Sequence, residues 1–449
     1  MTVLVRGSVR AFMIVFVKGE LKEILDAALA AAQPGRTMRR FLGVEDGRVM
    51  VGDEIFEPRR VFVLAVGKAS GAMARAAGEI LGDALDGGLC VVKGGHEEPS
   101  SSFEAVAAGH PEPDEGSVQA AEKAEEFLEG LGDDHLLLVL VSGGASALLA
   151  DTAPGISLED LKTLNGALLR SGAEIGEINT VRKHVSTLKG GGLVRKAAPA
   201  RVAALLLSDV VGDEPSSIGS GTTAPDPTTL EDTRKILKRY GIEPPQSIAD
   251  HLEKGHETPK PGDEAFEKLT NLIVGGGRLT ASAAAEKARE LGYEPLLLST
   301  YLTGDARDVA GLHAAIVKEV LESDNPLAPP CALVTGGEAT VVVRGEGTGG
   351  PNQEFALALA IELEGIEGWA ALAVDTDGND GPTDAAGGLV TGASAARIRE
   401  SGVEPAEALD ENDSYAALKA GDALVSTGPT GTNVNDLRVV LVSGEARPR

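Results

Sequence analysis

Residues 136–149, LLLVLVSGGASALL, run six apolar residues into a serine, two glycines and a short stretch of helix formers. An unbroken apolar run of strand length is the signature of a strand buried on both faces, and such strands belong to parallel sheets covered by helices. The scheme recurs in VFVLAVGKASGAMARAAGEIL from Val61, VAALLLSDVVGD from Val202 and LIVGGGRLTASAAAEKAREL from Leu272. CALVTGGEATVVV from Cys331 and WAALAVDTDGNDG from Trp369 repeat it. The pattern predicts an α/β protein with two domains, each holding a largely parallel sheet covered by helices in a Rossmann-like layout. In such sheets ligands bind outside the carboxyl ends of the strands, where the glycine turns and acidic clusters fall.

A length of 449 residues exceeds one ordinary core. Between Thr222 and Lys268 prolines and charges concentrate in TTAPDPTT, GIEPPQ and HETPKPGDE, around a helical patch, EDTRKILKRY. That shift places a boundary near residue 260, giving domains over 21–260 and 261–449. Residues 1–20 read as an extension. Arg6 and Arg10 precede AFMIVFV as in a signal peptide, but Lys18-Gly19-Glu20 follows without a small-residue cleavage site. Met13 is an alternative initiator, and an amphipathic helix from about Glu20 (LKEILDAALAAA) begins the fold.

A net charge of −27 repels nucleic acid and anionic membranes, and 3% aromatics leave little material for stacking bases. No apolar run approaches the roughly 20 residues of a membrane span. Cys90 and Cys331 sit in apolar runs as buried free thiols of a cytoplasmic protein.

The glycine turns match no nucleotide fingerprint. A Walker A loop ending at Gly67-Lys68 would need glycine at 62, where Phe62 stands, and Thr280 occupies the third glycine position of a dinucleotide loop in VGGGRLT. A glycine turn feeding a helix still suits phosphate. In AVDTDGNDGPTDAAGG, Asp375, Asp377, Asp380 and Asp384 crowd within ten residues. They fail as an EF-hand, because Asp380 and Ala386 occupy the positions of its glycine and bidentate glutamate. From Ile178 to Ser208 there are six Lys or Arg and no acid, where average composition gives about five acids. This island holds Arg182, Lys183, His184, Lys189, Arg195, Lys196 and Arg201, and reads as an anion site rather than a solvated face. Asp209, Asp213 and Glu214 follow it, and carboxylates beside cations suit a phosphorylated ligand carrying Mg²⁺. In the second half Glu338, Asn352-Gln353-Glu354 and TGPTGTNVNDL from Thr427 stand near glycines. The short side chains there also suit caps and turns, which need such side chains; the two glutamates do not.

Taken in order, AVGKAS at Ala65, VSGGASALL at Val141, INTVRKHVSTLKGGG at Ile178 and LSDVVGDEPSSIGSGTTAPDPTT at Leu207 resemble the class II glycerate 2-kinases. VTGGEATV at Val334, GGPNQEFAL at Gly349, DTDGNDGPTDAAGG at Asp375 and TGPTGTNVNDL at Thr427 resemble their C-terminal MOFRL domain. The resemblance runs from about Leu21 to the end. It departs at Pro351, where many members carry arginine.

The resemblance implies phosphoryl transfer from ATP to the 2-hydroxyl of D-glycerate, with Mg²⁺, at a site in the cleft between the two domains, in the cytoplasm. A homodimer is left open as the assembly. On that footing Lys68 is expected at the phosphates, and Arg182 and Lys189 at substrate or phosphate anions. Asp209, Asp375 and Asp377 are candidates for metal ligand or base, with Asp213 a further metal ligand. Ser142, Gly143, Gly144, Asn179, Lys183, Glu338, Asn352, Glu354, Asp384, Thr430, Asn433 and Asp436 are candidates for binding substrate or nucleotide. Two other readings are a hydroxypyruvate reductase, which the missing dinucleotide fingerprint disfavours, and a non-catalytic sensor of a phosphorylated metabolite, which would need the cations but not the acids.

Overall fold

The structure, a computed structural model, describes residues 2–94 and 99–443, with the backbone alone for residues 2–16. The chain divides into two compact units, Pro34–Val274 and Met1–Gln33 together with Gly275–Arg449.

In the first unit β1 (Leu42–Glu45), β2 (Arg48–Val51) and β3 (Glu54–Phe56) form a small antiparallel meander. Its main sheet holds β4 (Arg60–Val66), β5 (Leu85–Lys93), β6 (Glu104–Ala108), β7 (His135–Ser142), β8 (Arg201–Leu207) and β9 (Leu269–Gly275), in the order β6-β5-β4-β7-β8-β9. From β6 to β8 every pairing is parallel, as the apolar runs predict. Leu64, Val66, Leu137, Val139 and Leu206 pack with Ala120, Ala124 and Leu128 of the helix Glu115–Glu129. The alternate residues Val63, Ala65, Leu138 and Leu140 are equally buried, and the helix Ser70–Leu81 lies against β4, β5 and β7. Both faces are covered. Helices Leu158–Arg170, Ile175–Lys183, Leu230–Arg239 and Gln246–Glu253 build a satellite core of their own.

The proline-rich stretch near residue 260 belongs to this unit rather than dividing it. Asp226 N–H donates to the Pro259 carbonyl at 2.9 Å, Thr258 Oγ1 donates to Asp226 at 2.8 Å, and Val202 N–H donates to Lys268 O at 3.0 Å as β9 joins the sheet edge. The division falls at Val274/Gly275 instead.

In the second unit the strands are β10 (Glu294–Asp305), β11 (Cys331–Thr340), β12 (Trp369–Asp375), β13 (Gly387–Thr391), β14 (Leu424–Val425) and β15 (Asp436–Val442), ordered β10-β11-β15-β12-β13-β14. Here the expectation of a largely parallel sheet is corrected: only β10 and β11 run parallel, and every other pair is antiparallel. Two causes combine: the last strand, β15, inserts between β11 and β12 and runs against both, and β13 turns back beside β12 with β14 running against it in turn. Val334, Leu372, Val374, Leu437 and Val439 face the helix Gly277–Glu290 and the helix Thr2–Ala32, through Leu21, Ile24 and Ala28. Leu333, Ala371, Val440 and Val442 face the helices Ala306–Ser323 and Pro351–Glu362. Residues 21–33 thus join the C-terminal unit. One helix runs unbroken from Thr2 rather than starting near Glu20, and the side chains of AFMIVF (residues 11–16) lie outside the described residues. Cys90 and Cys331 are free and buried. Among the described residues no helix is long and apolar enough to cross a membrane.

The register sets Asp436 opposite both Gly337 and Asp375, so β11, β12 and β15 open at one sheet edge. Gly337 has φ +121°, and a Cβ there would stand 2.1 Å from the Leu302 carbonyl oxygen of β10. Gly337→Ala should therefore cost about 1–3 kcal/mol, the scale of overpacking a tight contact, read as a lower urea midpoint at unchanged slope.

Candidate active site

In the first unit the parallel strands bring their carboxyl ends to one edge, and the turns there are built around glycine. Gly67 follows β4 with φ +128°, and a Cβ on it would lie 2.2 Å from Ser142 Oγ. The close approach lets Lys68 N–H donate to the Gly143 carbonyl at 2.8 Å and Ala69 N–H to Ser142 Oγ at 3.0 Å. Gly143 makes room for Asp209, whose Oδ2 lies 1.9 Å from where its Cβ would be. Gly144, at φ +84°, makes room for the Lys68 stem and the His110 ring. Lys68, Ser142, Asp209 and His110 thus meet over one glycine pair. Asp209 is half-buried, and loss of hydration pushes its carboxyl above the ordinary range against the pull of Lys68. Asn179 Oδ1 accepts from Ser220 Oγ at 3.3 Å, and that hydroxyl lies 2.6 Å from Ser146 Oγ. Asp213 sits in the turn after β8 at φ +53°.

The basic island divides in two. Lys183 is buried and donates to Asp226 at 3.2 Å; Lys189 is buried and bonds Asp151 and the Leu149 carbonyl. Both lysines are consumed by internal carboxylates, which corrects the expectation that they meet ligand anions. Arg182 differs. It is half-buried, Nε donates to the neutral Asn165 Oδ1 at 2.9 Å, and no carboxylate among the described residues pairs with it. Burial lowers its pKa, so it is a cation short of a counter-charge.

In the second unit the opening of β11, β12 and β15 gathers acids. Asp436 accepts from Asn352 Nδ2 at 2.7 Å, from Ala339 N–H at 2.9 Å and from the fully buried Arg438. Asp380 is buried and accepts from the N–H groups of Asn352 and Gln353 at 3.0 and 2.8 Å. A carboxylate at a helix N-terminus is normally stabilised as an anion. Burial wins here, with Asp436 adding repulsion, and pushes Asp380 up to about 7. Asp375 rises to about 8, first from burial and then from Asp377, Asp436 and Asp380. Asp375 and Asp377 each spend one oxygen on a loop N–H, from Asp377 at 2.9 Å and Asn379 at 2.8 Å.

The remaining candidates shape or flank this cluster. Thr430 Oγ1 donates to the Thr376 carbonyl at 2.6 Å and holds loop against loop, while Asn433 Oδ1 accepts from Asn435 N–H at 3.2 Å within its own turn. Asn352 bridges Asp380 and Asp436. Glu354 is buried against Arg307 at 2.7 Å and Asn412 at 3.0 Å, and Asp384 is exposed and accepts from Tyr415 OH at 2.7 Å. Glu354 is thereby paired within the fold, and Asp384 keeps an exposed carboxylate. Glu338 is exposed on β11.

The model of a domain of unknown function, DUF4147, matches residues 20–253, and the MOFRL family model matches residues 331–436. A protein of Thermotoga maritima named D-glycerate 2-kinase is 46% identical over 85% of this chain and 91% of its own. One of Agrobacterium vitis, named provisionally as a hydroxypyruvate reductase, is 44% identical over 94% of each. The crystal structure of a Thermotoga maritima glycerate kinase superposes with a TM-score of 0.87 at 42% identity, covering 95% of this chain and 99% of that one. The chain belongs to the glycerate kinase family with a C-terminal MOFRL domain.

For a glycerate kinase family member, sequence reading overlooked His110, Arg438 and the buried role of Asp380. His110 lies in GHPEPD, whose histidine carries no spacing signal, and Arg438 is hidden within an apolar strand, DLRVVLV. Among the described residues no group of three or more His, Cys, Asp or Glu side chains forms a ready metal cage. The donor chemistry nonetheless fits Mg²⁺: hard carboxylate oxygens, close enough that repulsion adds to burial in raising Asp375 and Asp380, and buried Asn352 Oδ1 and Gln353 Oε1 with no partner.

Two measurements separate scaffold from site in this glycerate kinase. Lys189→Met should destabilise by about 3–5 kcal/mol, since it strands the buried Asp151, and adding Asp151→Asn should recover much of that in the same denaturation series. Asp375 is raised in the folded state, so the native protein holds its proton while the unfolded chain has lost it. Its contribution to stability is present below about pH 4 and is lost as pH rises toward about 8. In metal-free protein the melting temperature of Asp375→Asn should come nearest to wild type at about pH 4, the low end of the window, and exceed it increasingly up to about pH 8.

Proposed function

We propose that this glycerate kinase transfers the γ-phosphoryl group of ATP to the 2-hydroxyl of D-glycerate, releasing ADP and 2-phospho-D-glycerate, and that it does so in the cytoplasm. The observation that carries the reading is the seating of Lys68 and Asp209 together over Gly143 and Gly144 at the strand ends. Phosphoryl transfer asks mainly for positioning, cations on the phosphate oxygens and a carboxylate for the hydroxyl proton. Lys68 supplies a positive charge to the transferring group. Asp209, made more basic by burial, accepts the proton from the substrate hydroxyl. Arg182, whose one side-chain hydrogen bond among the described residues goes to the neutral Asn165, binds an anionic group of glycerate or nucleotide. Mg²⁺, when bound, would supply charge neutralisation, and Asp375 and Asp377 are the residues of the second unit that would hold it through their remaining oxygens. A reductase reading finds less support, because no dinucleotide fingerprint is present and the glycine turn after β4 is filled by Ser142.

The test is a coupled assay of ADP release from ATP, Mg²⁺ and D-glycerate, with the phosphorylated carbon identified by NMR, run beside NADH oxidation with hydroxypyruvate. ADP with the 2-phosphate is expected, and NADH oxidation alone would overturn the reading. Lys68→Ala should lower kcat ~10²-fold or more, the scale of losing one preorganised electrostatic contact, with an unchanged circular dichroism spectrum.

A further inference from the structure

The glycine pair after β7 seats one polar side chain that the mechanism above leaves unused. His110 follows β6, an edge strand two places from β4, yet its ring reaches the glycine turn after β7 against which the lysine and the aspartate pack. Both Nε2 and Cδ2 stand 2.9 Å from where a Cβ on Gly144 would lie, and Lys68 Cγ stands 3.2 Å from the same point. The Nε2 edge of the imidazole therefore faces the turn, on the same glycine as the Lys68 stem. Any side chain at 144 would displace both.

The backbone around His110 is held for this. Gly109 N–H donates to Asp114 Oδ1 at 2.9 Å and to Ser117 Oγ at 3.1 Å, the two residues whose reciprocal cap starts the helix Glu115–Glu129. A Cβ on Gly109 would meet Asp114 Cγ and the Glu112 carbonyl oxygen at 2.7 Å. The histidine thus rides on a pinned loop, half-buried, at the sheet edge where Lys68 and Asp209 converge.

We propose that His110 is a further catalytic residue, its imidazole N–H donating to an oxygen of the transferring phosphoryl group beside the Lys68 ammonium. The inference rests on the kinase reading and adds a donor to it. In the step, the bond from the γ-phosphorus to the bridging oxygen breaks and the bond to the glycerate 2-oxygen forms. The hydroxyl proton passes to Asp209, and ADP leaves with the bridging oxygen. His110 neither gains nor loses a proton; its N–H strengthens its hydrogen bond as charge spreads over the phosphoryl oxygens.

The experiment compares wild type with His110→Phe, His110→Gln and His110→Ala in the ADP-release assay, with melting temperatures measured alongside. Phenylalanine keeps a flat ring over Gly144 without a donor, and glutamine keeps a donor without the ring. A catalytic donor predicts that kcat falls about tenfold or more in the Phe and Ala variants at near-constant KM for glycerate and near-constant melting temperature. Glutamine should retain more turnover than phenylalanine, and added imidazole should restore part of the activity of His110→Ala. A Phe variant with wild-type kcat, or an Ala variant deaf to imidazole whose loss tracks a lower melting temperature, would overturn the proposal and leave His110 as packing. Absence of ADP release in wild type would instead remove the kinase reading itself, and the proposal with it.

Discussion

The C-terminal unit depends on one buried charge pair. β15 carries Asp436 and Arg438 into the middle of the sheet, between β11 and β12, where Arg438 is fully buried and Asp436 nearly so. Such a pair contributes little net stability, because desolvation of both ions offsets their attraction. Its contribution is to geometry. Asp436 ties the Ala339 backbone of β11 to Asn352 of the following helix, and through Asn352 to Asp380. Arg438 lies over the Phe355 ring at 5.4 Å, so the same helix is held from the apolar side as well. The acidic loop on β12 has its position because this network fixes both of its flanks.

The N-terminal unit keeps its buried ion pairs, Lys183 with Asp226 and Lys189 with Asp151, outside the strands of its main sheet. Its central strands β4, β7 and β8 are parallel and run apolar to, or to within one residue of, their carboxyl ends, so function begins where the strands stop. Adjacent glycines there act as seats rather than as flexible joints: Gly143 accommodates Asp209, and Gly144 accommodates Lys68 with His110. The result brings a carboxylate, an ammonium and an imidazole together from three different strand ends. Backbone carbonyl and amide groups of the same turns are already engaged with each other, which fixes the side chains that stand over them.

Much of this was legible in the residues. Continuous apolar runs ending in Gly-rich turns identified the parallel sheet and the edge where Lys68 and Asp209 converge. The second sheet was misjudged because a strand buried on both faces looks alike whether its neighbours run with it or against it, and the placement of β15 and the return of β13 beside β12 decide. The basic island misled for a different reason. Its acids are missing from the local sequence, but Asp151 and Asp226 arrive from elsewhere in the fold and neutralise Lys189 and Lys183. Arg182, with no such visitor among the described residues, keeps the character that composition suggested. Capping logic failed at Asp380, whose carboxylate serves the start of a helix that ends 18 residues before it in the chain.

Pro351 joins these threads. It opens the helix Pro351–Glu362 at the first position, where the missing N–H costs nothing, and the next two N–H groups go to Asp380. Gly350 precedes it because a Cβ there would stand 2.3 Å from Asp380 Cγ. This helix start is complete without a longer side chain. An arginine at the same position, as in the pattern the motif resembles, would bring a cation to the rim of the carboxylate cluster. With proline in its place, Asp436 with Arg438 is the one ion pair made by Asp375, Asp377, Asp380 and Asp436 among the described residues. The raised pKa values of Asp375 and Asp380 come first from burial, and repulsion from neighbouring carboxylates adds to it. On the proposed kinase reading, a cation held by Asp375 and Asp377 would therefore meet a cluster that carries no arginine of its own at position 351.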